Sequence, residues 1–233
     1  MKIAGIDSCP SGWIVILFEK NKFSALLVEN ITELISFHPD LDCILIDIPI
    51  GLSSENFKRN IEEKMRKFLP ERGSTIFTPA CRKAVYAENY EGAKSINKKV
   101  LGKSLSIQSF NISKKIKEID LYFDTKPQSL EIYESHPEIC FKQLNNNKVL
   151  MSKKTSPEGF QERFELLISK YPQLQNLYKD IQLQYPKSKV KPDDILDAMV
   201  LCVTNLKSQN NGFQFIENEN KTDQKGIQIK IAF

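Results

Sequence analysis

The chain has 233 residues, 41% of them apolar, and a net charge of +4 from 33 Lys+Arg against 29 Asp+Glu. That suffices for a sizeable core in one large domain, and the mild positive surplus permits nucleic acid as a partner without requiring it. Five widely spaced cysteines (Cys9, Cys43, Cys81, Cys140, Cys202) exclude a zinc ribbon and point to reduced thiols in the cytoplasm; MKIAGIDS is too poor in apolar residues for a signal peptide, and with no run near the roughly 20 residues that span a bilayer no membrane partner is expected.

Three apolar runs, 2–7 (KIAGID), 13–18 (WIVILF) and 23–28 (FSALLV), are separated by Pro10-Ser11-Gly12 and by Asn21-Lys22. They predict an antiparallel meander of three strands, with Trp13 in its core. Residues 31–37 predict a helix capped by Asn30 or Thr32. CILIDIPIGL (43–52) is almost wholly apolar, as a central strand covered on both faces requires. Residues 55–123 carry no strand pattern and read as three helices punctuated by Pro70, Gly73, Pro79 and Gly102, which places a helical insertion at about 53–128. Within it, residues 94–117 hold seven lysines and no acid, a composition suited to a solvated helix face or to tracking a phosphate backbone.

Residues 129–134 (SLEIYE) alternate as a strand does and end in Glu134, after which Ser135-His136-Pro137-Glu138 opens a helix. Thr155-Ser156-Pro157-Glu158 has capping-box spacing and begins another, through Glu165 to Ser169. The clearest helix is KPDDILDAMVLCVTNL (191–206), with Asp193 as its expected cap and almost no polar face. In the tail 207–233, GFQFI (212–216) and IQIKIAF (227–233) are expected as edge strands joined by a polar loop. No repeat or linker divides residues 1–233, which read as a single α/β domain.

The acids carry the functional signal. Asp7, Asp47 and Glu134 each close an apolar run, so if those strands are parallel neighbours their tips share the crevice where open α/β sheets bind ligands. Asp194 and Asp197, three apart, lie on one helix face and could close that crevice from the side. Each acid has a structural alternative. Asp7 could cap the turn at Ser8 to Gly12, Asp47 could anchor the loop at Pro49 to Gly51, and Glu134 could pair with His136 or a lysine of the insertion. Asp194 near a helix N-terminus is favourable by about 0.3–1 kcal/mol by itself. Asp197 is the decisive member, because an ionised group one turn into an apolar helix needs a Lys, an Arg or a metal as partner.

Oxygen-only ligands suit Mg²⁺ or Mn²⁺ rather than zinc, and two such ions held by three or four carboxylates serve in-line displacement at phosphorus. Phosphodiester hydrolysis is therefore the leading expectation. His136, Glu138, Arg59, Arg66, Arg82 and Gln108 are candidate substrate contacts, and Lys153 or Lys154 could bind a phosphate. Cys81 has no His or Asp pairing that would make it a nucleophile.

A set of motifs adds to this reading: GIDSCPSGW (5–13), IDIPIGL (46–52), Arg59-x-x-Glu62-x-x-x-Arg66, TPACRKAV (78–85), IQSFNISKKIKEID (107–120), YESHPE (133–138), SKKTSPEG (152–159) and DDILDA (193–198). In this order they resemble a bacterial and archaeal family, domain of unknown function 429, predicted to be ribonuclease H-like nucleases; the likeness spans residues 3–206. The resemblance implies a ribonuclease H-like fold: a mixed five-stranded sheet in the order 3-2-1-4-5, helices on both faces, and the helical insertion between strands 4 and 5. It also implies Asp7, Asp47, Glu134, Asp194 and Asp197 as metal ligands, with His136, Arg59 and Gln108 at the substrate. Ser8 and Ser11 stand where the family more often has Gly, and Glu62 where it has Asp; neither change touches those ligands.

The expected activity is thus Mg²⁺- or Mn²⁺-dependent cleavage of DNA or RNA, with the basic insertion guiding the backbone. One rival is an ATP-dependent phosphotransferase of the related actin and sugar-kinase type, which needs a second Gly-rich phosphate loop in a duplicated half, whereas only nine glycines occur here. The other is a non-catalytic nucleic-acid or nucleotide binding module on the same fold.

Overall fold

The structure, a computed structural model, describes residues 1–125 and 130–233. Ser129, the expected start of the fifth strand, and residues 126–128 of the expected insertion lie outside the described residues. In chain order the elements are β1 (Lys2–Cys9), β2 (Gly12–Glu19), β3 (Lys22–Val28), α1 (Ile31–Phe37), β4 (Cys43–Ile46), α2 (Ile61–Phe68), a 3₁₀ helix (Pro70–Thr75), α3 (Arg82–Val85), α4 (Tyr90–Leu101), α5 (Ile107–Asn111) and α6 (Ser113–Thr125). There follow β5 (Glu131–Glu134), α7 (Pro137–Leu144), α8 (Pro157–Lys170), α9 (Leu174–Gln184), α10 (Pro192–Asn211), β6 (Phe215–Thr222) and β7 (Gln228–Ala232). The chain divides into two compact units, one of Met1–Asp47, Pro127–Phe215 and Ala232–Phe233, the other of Ile48–Lys126 and Ile216–Ile231.

Of the seven strands among the described residues, the first unit holds five, in the expected order β3-β2-β1-β4-β5. β1 is antiparallel to β2 and parallel to β4, and β4 is parallel to β5. The meander matches the apolar runs, except that the β2–β3 turn is Lys20-Asn21, one residue earlier than expected. Both residues have positive φ (50° and 60°), the left-handed pair whose twist suits a two-residue hairpin. The central strand is shorter than the apolar run 43–52. Asp47 N–H still donates to Ile6 O at 3.0 Å, but Pro49 has no N–H to continue the ladder and Gly51 turns the chain at φ +78°.

Helix α10 is the buried element of this unit, with every residue from Asp194 to Asn205 buried. It begins at Pro192 with Lys191 as N-cap, not at Asp193: Pro fixes a helical φ at the first position, and Asp194 accepts a hydrogen bond from Lys191 N–H at 3.0 Å. Its backbone lies directly against β1. A Cβ on Gly5 would sit 2.1 Å from Cys202 N and 2.4 Å from Ala198 O. Further along, Asn205 Nδ2 donates to Ala4 O (3.0 Å) and Cys43 O (3.1 Å), tying the helix to both central strands. Helix α9 was not expected; its buried Leu174, Tyr178 and Ile181 recur at helical spacing among polar residues that hide the stripe.

In the second unit the segment expected as three helices holds five α-helices and the 3₁₀ helix. One extra break is made at Ser106, whose Oγ accepts from Ser109 N–H at 3.1 Å and so caps α5. The tail also differs from expectation: β6 shares Phe215 and Ile216 with the expected strand but runs on through the polar residues 217–222. The polar loop shrinks to a tight turn in which Asp223 accepts from Lys225 N–H (2.8 Å) and Ile227 N–H (3.1 Å). Among the described residues no helix is long and apolar enough to cross a membrane, and all five cysteines are free thiols.

Candidate active site

Strand register sets the first pair of acids. Ile6 is level with Ile46 in the last pair of the parallel β1–β4 ladder, so Asp7 and Asp47 follow side by side just past its end. Gly5 faces α10, and Asp7, two residues on, shares its face of the pleat. The close approach of α10 thereby brings Asp197 and Asp194 to the same end of β1. Asp7 and Asp197 are 6% and 2% exposed, Asp194 is buried, and Asp47 is half-buried.

The acids act on one another. Burial, and then the charges of Asp197, Asp47 and Asp194, hold the Asp7 carboxyl well above the usual carboxylate range. Burial likewise pushes Asp47, Asp194 and Asp197 up to about 6 against the pull of Lys154. Hydrogen bonds fix two of them in place: Asp7 Oδ1 accepts from Ser8 N–H at 2.7 Å, and Asp194 from Lys191 N–H.

The partner that Asp197 requires is Lys154. Its ammonium donates to Asp197 Oδ2 and lies 3.8 Å from Asp193. Burial works against this ammonium, but Asp197, Asp7 and Asp47 outweigh it and hold its pKa above the usual lysine range. The loop that delivers it is anchored at several points. Lys153 O accepts from Ser156 N–H at 2.9 Å, and the first turn of α8 presses so closely that a Cβ on Gly159 would lie 2.0 Å from Lys153 O. Arg163, its side chain 1% exposed, donates from Nη1 to Ser152 O at 3.1 Å and from Nη2 to both carboxylate oxygens of Glu138 at 2.8 and 2.9 Å.

Glu134 stands differently. It pairs in register with Ile46, one residue short of the level of Asp47, so the alternation of the pleat directs it to the opposite face of the sheet from Asp7 and Asp47. Glu138, in the first turn of α7, instead raises the carboxyl pKa of Asp47 and Asp197 through its charge. His136 occupies the N-cap position of α7.

Arg59, Arg66, Arg82 and Gln108 all belong to the second unit. Arg59 is buried, bonded to Glu62 and donating to Ile50 O (2.8 Å) and Gly51 O (3.0 Å). Arg66 donates to Ile76 O at 2.8 Å. Arg82 joins a network with Asp223, Asp120 (2.9 Å) and Lys225, into which Tyr86 OH also donates. Gln108 is exposed on α5. Sequence reasoning missed Arg163 and Asp120. Arg163 had a signal, since it continues the stripe Gly159, Arg163, Leu167 that α8 buries, and a guanidinium there demands an acid.

A family model described as "Protein of unknown function (DUF429)" matches residues 5–219. The chain belongs to this family. The match takes in Gly5, all five acids and the Lys154 loop, so the acidic site lies wholly within the DUF429 region. No curated protein and no solved structure matches the chain.

The donor set of the DUF429 site is oxygen-only, and burial holds its carboxyls above the usual carboxylate range in spite of Lys154. By charge and ligand hardness these residues fit Mg²⁺ or Mn²⁺. Among the described residues no three His, Cys, Asp or Glu side chains are gathered closely enough to hold a metal ion, and the cation among the acids is Lys154.

Proposed function

We propose that this protein is a Mg²⁺- or Mn²⁺-dependent nuclease of the cytoplasm that hydrolyses phosphodiester bonds of nucleic acid. We likewise read its first unit as a ribonuclease H-like fold, on the strength of the order β3-β2-β1-β4-β5 and the Asp on β1. The observation that carries the activity is the electrostatic strain of Asp7, Asp47 and Asp197, buried or half-buried acids just past the end of the parallel β1–β4 ladder and on the helix packed against it, raised first by burial and, for Asp7 and Asp197, by neighbouring acids. Such strain is costly to maintain and is relieved by cations.

In this reading Asp7, Asp47, Asp194 and Asp197 hold the ions, two being the number that in-line displacement uses. Bound there, Mg²⁺ or Mn²⁺ supplies a lowered pKa for water and charge neutralisation at the phosphoryl oxygens. Lys154 keeps the acids together before loading, and once replaced among them its ammonium binds the substrate phosphate. Glu138 and Arg163 position the Lys154 loop. Exposed lysines of the second unit, Lys98, Lys99, Lys103 and Lys114, supply non-specific attraction for the nucleic-acid backbone.

The test is incubation of labelled single- and double-stranded DNA and RNA with purified protein in Mg²⁺, Mn²⁺ or chelator. Cleavage only with the metals, lost in Asp7→Asn, is the expected result. Metal-independent cleavage, or turnover of ATP in its place, would contradict the proposal.

A further inference from the structure

The first unit contains a cavity of about 560 Å³ that the roles assigned so far leave unused, lined by residues of the Lys154 loop, α8, α9 and the start of α10. Its size lies within the range of pockets that hold small organic ligands, roughly 300–1,000 Å³. Lys154, whose ammonium reaches Asp197, is one of its lining residues, as is Asp193, so the cavity adjoins the acids. Phe160 and Tyr178 form its aromatic part, with ring centroids 5.6 Å apart and planes at 50°. Phe160 is half-buried, and Tyr178 is 7% exposed with its ring held against Phe164. Gln161, Gln182 and Lys187 are exposed at the rim. Asp193 also lines the cavity, with the Lys154 ammonium 3.8 Å away.

Resting on the nuclease reading, we infer that this cavity receives one unstacked nucleotide of a single-stranded substrate, next to the bond that is cut. The half-buried ring of Phe160, backed by Phe164 and Tyr178, offers an aromatic surface to a base, and the Gln182 amide at the rim offers a donor and an acceptor to a base edge, while Gln161 Nε2 already donates to Glu165 at 2.8 Å. Lys187 meets a neighbouring phosphate, and Lys154 joins it only once a metal ion has replaced its ammonium among the acids. A base stacked and paired within a duplex presents no free face to such a wall, so the geometry selects single strands or frayed ends over continuous duplex.

The experiment is fluorescence anisotropy in chelator, which separates binding from cleavage, with a labelled mixed-sequence single strand, the same sequence as duplex, and the strand with one abasic position. Phe160→Leu, which removes the ring and keeps an apolar side chain, and Lys187→Ala, at an exposed position, are compared with the parent, and thermal melts check that each is folded. The single strand is expected to bind about tenfold more tightly than the duplex, a margin within reach of one stacked base. Phe160→Leu, Lys187→Ala and the abasic position should each weaken it several-fold. Should Phe160→Leu fail to fold, Lys187→Ala and the abasic strand decide the matter. Equal binding of duplex and single strand, or no effect of Lys187→Ala and the abasic position, would overturn the inference, and metal-dependent cleavage surviving that result would leave the nuclease reading standing. Single-strand binding that depends on Phe160 in a protein that cleaves nothing would support the cavity and remove the nuclease.

Discussion

Lys154 and Asp197 are joined by a hydrogen-bonded ion pair in which the ammonium comes from the loop before α8 and the carboxylate from one turn inside the buried helix α10. The pair puts a lysine where a divalent ion has reason to sit. The same acids cannot serve both cations fully, so Lys154 and the metal compete.

Lys154→Met should therefore act in opposite directions on the two forms of the protein. Without metal, removing the lysine bonded to Asp197 leaves the acids less compensated, and stability should fall by about 1–2 kcal/mol. That is below the roughly 3–5 kcal/mol of a fully buried pair, because the lysine is partly exposed and the acids can take up protons. With Mn²⁺, affinity should rise several-fold. Thermal melts in chelator and calorimetric titration with Mn²⁺ check the two halves, and a variant weaker in both would contradict the competition.

The pH dependence follows from the raised carboxyls. Asp47, Asp194 and Asp197 titrate near 6 in the folded protein, above their unfolded range, so the folded state binds more protons between about pH 4 and 6. Their contribution to metal-free stability is present below that window and is lost as pH rises through 6. Acidifying the metal-free protein from pH 7 to 5 should stabilise this part of the fold by on the order of 2 kcal/mol, and Asp7→Asn should leave it equally or more stable. Metal binding runs the other way, with Mn²⁺ affinity falling as pH drops below about 6. Denaturant titrations in chelator at several pH values read the first effect, and Mn²⁺ titrations the second.

Glu138 and Arg163 form a buried pair that anchors Ser152, two residues before Lys154. Glu138→Ala strands the guanidinium and should cost about 3–5 kcal/mol. Arg163→Met with Glu138→Gln restores neutrality, so the double variant should recover much of that loss in chemical denaturation.

Gly5→Ala should be the most damaging change of one methyl group in the first unit. The added Cβ meets backbone atoms of α10, which cannot rotate away, so the helix must lift from β1. A loss of about 3 kcal/mol, the upper part of the range for overpacking, is expected in melting experiments, together with weaker Mn²⁺ binding as Asp197 is drawn from Asp7.

Much of the first unit was legible in the sequence because its signals are local. Apolar runs parted by turn residues mark the meander, a nearly unbroken apolar run marks β4, and the apolar stretch after Asp194 marks α10, though not its start at Pro192. The exposed polar surface of α9 concealed its buried stripe, and the polar strand β6 concealed itself, since pairing there rests on backbone hydrogen bonds and a tight Asp223 turn instead of apolar side chains. Within the site, the need of Asp197 for a partner could be read from its position, but the identity of that partner could not. Lys154 is 43 residues away, and only the folded loop brings it there. Glu134 shows the opposite failure. Its place at the end of an apolar run matches that of Asp47, yet a one-residue difference in register gives it the other face of the sheet.

The most direct test is equilibrium titration of the purified protein with Mn²⁺ at pH 7.5, followed by electron paramagnetic resonance of the free ion, for the parent chain, Asp197→Asn and Glu134→Gln. Saturable uptake by the parent, abolished in Asp197→Asn and retained in Glu134→Gln, is the predicted result. A parent chain that takes up no Mn²⁺, or Asp197→Asn binding it as well as the parent, would contradict the account.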